Sequence, residues 1–557
     1  MRSVFIFLVL TFISLVTMAQ IKVADFGAIP NDGKDDLKAI KNAVKALSKE
    51  KNKILIFEEG TYDLFFDEEG KERGIRIYDQ NNVTFLGKND KDNNPLTTLL
   101  RHHKVKNNVW GKTILEVVRC DNFKLKNFIF DNFPRNTSAG KIIENNGNSI
   151  VVKVFEGNPI IANTRAYCAN TWNLENKTLL PVESITYGGD VSSSPDEHTW
   201  HIKNKKKRLM ELKSSKIASK VKKGEAISWH FGYSGIQVSY KYCDNLNVEN
   251  VTTYNAIGFC MEARGCGNIY SKNVRFKAPD NQLAVGSRDA WKIYASNGNV
   301  VMDNLYVEGV RWDGQNVHGS FAFVHEIIDD RTIWFKKKYK ALLSIRKGSI
   351  ITLSKDNHQK ESLTVESFEK KEVDGNFAGF QVTFKEKIPS FVNKETLGMV
   401  MDWNTRSYTL KNSTFKNIAG SASILRNSNS LIHNNTFSNI MYPLTIGGTI
   451  GEGEGVIPNN VTISNNKFTS SGWVSRHTKK GAIVLSNWKS SEYELSPFMK
   501  NIRITDNEII NGEIGINVND ADGVYIFKNK FENTERKIVI GNAINIKSDE
   551  ILPKIDK

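Results

Sequence analysis

One short step, Asn-x-x-apolar, returns along this chain at a few fixed intervals, and that return dictates a solenoid. Cys120-Asp121-Asn122-Phe123-Lys124-Leu125-Lys126-Asn127, Cys243 to Asn250 and Cys266 to Asn273 all read C-x-N-x-x-x-x-N. The step recurs at Asn82, Asn304, Asn412, Asn434 and Asn465, with a close variant at Asn507 and Asn529. Asn250 to Asn273 is 23 residues, Asn412 to Asn434 is 22, and Asn273 to Asn304 is 31. Short strands of alternating apolar residues with Asn at a fixed turn predict stacked coils about 4.8 Å apart. Asn tolerates left-handed backbone, and its amide can bond the equivalent Asn one coil away. The phenylalanines then stack inside. Cys120, Cys243 and Cys266 share one phase, which predicts a buried column of small apolar residues. A disulfide between Cys243 and Cys266 is sterically open.

Two gaps break the register. Asn127 and Asn250 lie 123 residues apart, and Asn304 and Asn412 lie 108 apart. We read these as insertions at about 131–240 and about 320–402, each a small antiparallel β-barrel on one edge of the solenoid. The second shows hairpin-like alternation in Thr332-Ile333-Trp334-Phe335 and Phe380-Gln381-Val382-Thr383-Phe384. Loops grafted on rigid coils usually shape a site.

The opening fits the same architecture. Val23-Ala24-Asp25-Phe26-Gly27-Ala28 precedes Asn31-Asp32-Gly33-Lys34-Asp35-Asp36. An amphipathic helix over Leu37 to Leu47 and the segment Gly60-Thr61-Tyr62 follow. A solenoid end exposes its core, and a helix there serves as a cap. This run resembles the start of the pectate-lyase-like superfamily, which implies a right-handed parallel β-helix over about 20–557.

Arg2, the apolar run Val4 to Val16 and the small residues before Gln20 read as a secretory signal peptide over 1–19. The expected location is secreted or periplasmic, with no membrane insertion. The 557 residues carry a formal charge of +15. That charge suits either an acidic glycan or a solvated lysine-rich surface. No nucleic-acid-binding motif is present. The five cysteines are an odd number, so they cannot all pair with one another.

The chemistry concentrates in Arg288-Asp289-Ala290-Trp291-Lys292 and Arg311-Trp312-Asp313-Gly314-Gln315-Asn316-Val317-His318-Gly319. Asp289 and Asp313 are 24 residues apart, one coil, so their backbones should lie about 5 Å apart. Lys292 and Asn316 repeat the offset. Two such carboxylates repel, one pKa rises, and the pair suits acid/base work on a glycosidic bond. Arg288 and Arg311 could tune them. The alternative is a ladder of turn-capping aspartates. Aromatic side chains, among them Trp229, Trp312, Trp403 and Trp473, are candidates for stacking on sugar rings.

The pattern D-x-x-K, one coil, D-x-x-N-V-H-G, then an insertion, resembles glycoside hydrolase family 110. Tyr254 to Glu262 looks like that family's preceding coil. The resemblance implies an inverting, exo-acting α-1,3-galactosidase on an oligo- or polysaccharide, needing no cofactor. Asp289 and Asp313 match two family carboxylates, and Trp312 stands where a third would be. Glu262, Asp329, Asp330, Asp402, Glu452 and Glu454 are the candidates to replace it. The last two lie in a glycine-rich loop, Gly447 to Gly455, which reads as a lid or a flexible turn. The expected substrate contacts are Arg288, Lys292, Arg311, Trp312, Asn316, His318, Glu262 and Trp229. The basic charge hints at a sulfated galactan such as a carrageenan. Two other readings stay open. One is a lyase in which Asp289 and Asp313 hold Ca²⁺ against a uronate while Lys292 or Arg311 takes the proton. The other is a glycan-binding protein without catalysis.

Overall fold

The computed structural model describes residues 20–49, 53–66, 74–104, 110–186, 194, 196–279, 282–336, 345–356, 358–475, 479–488 and 498–551. Residues 1–19, read from the sequence as a signal peptide, lie outside them.

The coils form a right-handed parallel β-helix. Its strands stack in parallel ladders. One runs from Asn299–Asp303 through Ser407–Lys411, Ser430–His433, Asn459–Ser464 and Met499–Thr505 to Ala521–Phe527, in unbroken register. The apolar phase packs inward, where the rings of Phe415, Phe437 and Phe468 stack at 5.3 and 4.7 Å. The turn asparagines do what their chemistry allows. Asn127, Asn250, Asn273, Asn304, Asn412 and Asn434 hold φ of 54–65°. Asn434 Nδ2 donates to Asn412 Oδ1 at 2.8 Å, and Asn304 Nδ2 donates to Asn273 Oδ1 at 2.7 Å.

Asn507 and Asn529 belong to a different phase. The left-handed positions of their coils are Asp506 and Lys528. Asn507 and Asn529 instead continue a buried ladder with Asn435 and Asn466, whose side chains bond one another at 2.9 Å. The 22-residue spacing is real, but the residues sit one place further along the coil. Cys120, Cys243 and Cys266 are buried, and all five cysteines are free thiols, so the stacked pair forms no disulfide.

The helix Leu37–Leu47 buries Leu37, Ile40, Ala43, Val44 and Leu47 and caps the first coils. The two insertions differ from each other. Phe321–Val400 contributes a closed antiparallel barrel of six strands. Thr137–His230 is an eight-stranded antiparallel sheet whose outermost strands, Thr164–Arg165 and Thr178–Leu179, each have one neighbour. It has its own core around Trp200, Met210, Leu212 and Trp229.

Candidate active site

One parallel strand ladder of the solenoid carries the site. Phe259–Arg264, Trp291–Tyr294, Gln315–His318 and Ser423–Arg426 pair in parallel, and Glu262, Lys292, Asn316 and Ile424 form one column. Three residues upstream of that column stand the two aspartates. The Ala290 N–H donates to the Asp313 carbonyl at 2.9 Å, and the Cys260 N–H donates to the Asp289 carbonyl at 3.1 Å. Asp289 and Asp313 therefore occupy successive coils, and each is 4% exposed. Asp313 Oδ1 accepts the Ser421 N–H at 3.0 Å. The Asp289 carboxyl has no hydrogen-bond or ion-pair partner among the described residues. Burial pushes its pKa up to about 6, the negative charge of Asp313 adds to that, and Arg288 and Lys292 oppose it.

Glu454 anchors a charged cluster beside this pair. Its carboxylate lies 3.1 Å from Lys292 Nζ, 3.2 Å from Arg426 Nη1 and 3.5 Å from His318 Nε2. Burial alone would raise the Glu454 pKa, but its cationic neighbours hold it well below the usual carboxylate range. Arg426 also bonds Asn316 Oδ1 and Thr449 Oγ1. The loop bearing Glu454 is tied down by backbone hydrogen bonds. Thr449 and Glu454 exchange backbone hydrogen bonds at 3.0 and 3.1 Å, and the Gly455 N–H reaches the Gly319 carbonyl at 3.2 Å. Gly455 is required there: its φ is +128°, and a Cβ would stand 2.9 Å from Arg426 Cβ.

His318 is 4% exposed and stacks on Tyr294 with ring centres 5.4 Å apart. Its Nδ1 pairs with the Gly319 carbonyl at 2.7 Å. Burial, opposed by Glu454 and joined by Lys292 and Arg426, drives its pKa down to about 3. Burial thus favours the neutral ring, whose Nδ1–H donates to that carbonyl, while Lys292 and Arg426 stand against Glu454 as full cations.

An aromatic and guanidinium wall closes the other side. Arg288 sits 4.5 Å from the ring centres of both Phe259 and Tyr233. Trp312 Nε1 donates to Tyr233 Oη at 2.6 Å, and Arg311 lies 4.3 Å over the Trp312 ring. Arg311 is 2% exposed and donates to the Ala419 carbonyl at 2.9 Å, so it braces the wall from behind. Trp312 itself is half-buried and packs against a cluster that includes Leu283, Ala419 and Met441.

Several residues picked out by sequence lie elsewhere. Trp229 is fully buried in the core of the first insertion, with its ring 4.3 Å from Trp200, and cannot stack on a sugar. Asp402 accepts from Ser349 Oγ and the Ile350 N–H at the foot of the barrel. Asp329 and Asp330 occupy an exposed hairpin turn, where Asp330 pairs with Lys387. Glu452 is half-buried in a short 3-10 turn. Of the six candidates for the missing carboxylate, Glu262 and Glu454 border the aspartates. Glu262 is 6% exposed and, like Asp289, has no hydrogen-bond or ion-pair partner among the described residues. Burial raises its pKa, opposed by Lys292, Lys241 and Arg264.

Sequence reasoning missed Arg426 and the place of Phe259. Arg426 had a signal: it follows His318 by 108 residues, the interval that also carries Asp313 to Ser421 and Arg311 to Ala419 across the barrel.

The family described as "Right handed beta helix region" matches residues 399–550. Alpha-1,3-galactosidase A of Shewanella woodyi is 23% identical over 568 aligned residues, covering 94% of this chain and 87% of that protein. Alpha-1,3-galactosidase B of Phocaeicola vulgatus is 24% identical over 425, covering 70% and 69%. A solved hyperthermoactive exopolygalacturonase from Thermotoga maritima has a TM-score of 0.44 at 11% identity, covering 95% of this chain and 91% of its own.

Proposed function

We propose that this protein is a secreted glycoside hydrolase that removes α-1,3-linked galactose from chain ends, with inversion at the anomeric carbon. One observation carries the proposal: Asp289 and Asp313 stand one coil apart in a nearly closed site, and burial with mutual repulsion raises Asp289 to about 6. Two carboxyls that close share a proton, and the remaining negative charge orients a water and accepts its proton as the water attacks the anomeric carbon. The likeness to two proteins named alpha-1,3-galactosidase over most of the chain supports the linkage. The placement supports action at chain ends: Tyr233 follows the first insertion, and the six-stranded barrel begins just after His318. Arg288, pinned between two rings with no hydrogen-bond or ion-pair partner among the described residues, suits oxygen-rich groups of the sugar, a sulfate included. The leader-like segment 1–19 supports export.

The test is incubation of the purified protein with an oligosaccharide ending in α-1,3-linked galactose, followed by proton NMR. The expected result is free galactose appearing first as the β anomer. Release of the α anomer would remove inversion. Unsaturated, ultraviolet-absorbing products, or no release with intact binding, would replace hydrolysis by a lyase or a binding role.

A further inference from the structure

The buried carboxyls of this fold sort into two groups. Asp36, Asp63, Glu262, Asp289, Asp313 and Asp520 are the acidic residues buried below a tenth exposure among the described residues. Asp36 accepts from the Ile29 and Asp63 N–H groups, Asp63 pairs with His102, Asp313 accepts from Ser421, and Asp520 accepts from Asn487 and Asn542. Only Glu262 and Asp289 lack a hydrogen-bond or ion-pair partner. A buried carboxyl without a partner is costly and persists where function requires it. Glu262 lies in the strand Phe259–Arg264, and Asp289 stands just before Trp291–Tyr294, the strand that pairs with it.

Glu262 also stands where a second catalytic carboxyl is needed. It precedes Lys292 by one coil in the outward column, whereas Asp289 pairs three residues upstream of Lys292. Three residues of strand place the two backbones roughly 10 Å apart along the chain, before the longer glutamate side chain reaches back. Asp289 and Asp313, one coil apart, are too close to set a water and a sugar ring between them. Inverting hydrolysis needs its two carboxyls about 6.5–9.5 Å apart. Asp289 is among the charges that act on Glu262, so the two groups are within electrostatic reach. Trp312 closes the site with an indole and offers no carboxyl of its own.

We propose that Glu262 is the general acid of this site, facing the Asp289–Asp313 pair across the scissile bond. This rests on the hydrolase reading above. The water's oxygen bonds to the anomeric carbon as its proton passes to the aspartate pair. The bond from that carbon to the leaving oxygen breaks, and the Glu262 proton goes to that oxygen. Burial, which favours the neutral form of Glu262, keeps that proton available.

The test compares the parent, Glu262→Gln and Glu262→Asp on two substrates. One is a natural α-1,3-galactosyl oligosaccharide. The other is 2,4-dinitrophenyl α-galactoside, whose leaving group departs without a proton. For Glu262→Gln, kcat on the oligosaccharide should fall at least about a hundredfold, and kcat on the activated substrate should fall less than about fivefold. The basic limb of the pH profile should also disappear. Equal losses on both substrates, or a kcat on the oligosaccharide within threefold of the parent, overturn the assignment. Glu262→Asp keeps the charge and guards against misfolding: it should retain the basic limb at reduced rate, and loss of that limb also overturns it. If the parent releases galactose from neither substrate, the hydrolase reading fails, which is a separate outcome.

Discussion

Asp289 and Asp313 lie on successive coils, joined through the Ala290 N–H and the Asp313 carbonyl at 2.9 Å. Asp313 is bonded by the Ser421 N–H, whereas the Asp289 carboxyl has no hydrogen-bond or ion-pair partner among the described residues. The asymmetry has a thermodynamic consequence. Asp289 is raised in the folded protein from an ordinary 3.8 to about 6. Its favourable contribution is therefore fully present below about pH 4 and lost as pH rises through about 6.

Asp289→Asn removes that loss. The variant should unfold at a higher temperature than the parent at pH 7.5, by the equivalent of about 2–3 kcal/mol, and the two should converge near pH 4. Thermal melts followed by circular dichroism at the two pH values check this. A parent at least as stable as the variant at pH 7.5 contradicts it.

Glu454 works with the opposite sign. Its folded pKa lies well below 4.5, so its contribution is present above that value and lost as pH falls. Glu454→Gln leaves Lys292 and Arg426 buried without their counter-charge. The expected cost is about 3–5 kcal/mol at pH 7, shrinking toward pH 3. Denaturant unfolding across that range measures it, and an equal cost at both ends counts against the charge explanation.

The solenoid was readable because its repeat is a physical one: each Asn takes a left-handed turn, bonds the next coil, or does both. The spacing of Asp289 and Asp313 followed from the same count. The one-place error at Asn507 and Asn529 arose because exposed and buried asparagines are adjacent in each coil, and Asp506 and Lys528 hide the turn position. Arg426 was hidden by the barrel, which puts 108 residues between neighbours in space. Trp229 was misjudged because a tryptophan flanked by His230 and Tyr233 looks the same in sequence whether it faces a cleft or a core. Its strand Ala226–His230 is buried throughout.

The buried asparagine ladder should be a measurable source of stability. Asn466 Oδ1 accepts from both the Asn435 N–H and its side-chain amide, and Asn466 Nδ2 reaches the Ile432 carbonyl and Asn507 Oδ1. Asn466→Ala strands several buried donors and acceptors at once, so a loss of about 2–4 kcal/mol is expected. The exposed-ladder variant Asn434→Ala should cost about 1–2 kcal/mol less, because water can replace its partner. Equal losses in parallel urea titrations would contradict the distinction.

The two tryptophans should separate cleanly. Trp312→Ala opens the wall beside Asp313 and should raise KM about tenfold or more with a smaller change in melting temperature. Trp229→Phe disturbs the packing against Trp200 and should lower the melting temperature with KM unchanged. Michaelis–Menten kinetics and melts on both variants decide it. A KM effect confined to Trp229→Phe would reverse the two roles.

The most direct test of the aspartate pair is Asp313→Asn, assayed on an oligosaccharide ending in α-1,3-linked galactose, with binding measured in parallel by calorimetry. The expected outcome is a fall in kcat of about a thousandfold or more, with Kd within about threefold of the parent. Turnover within twofold of the parent would show that hydrolysis does not pass through this pair.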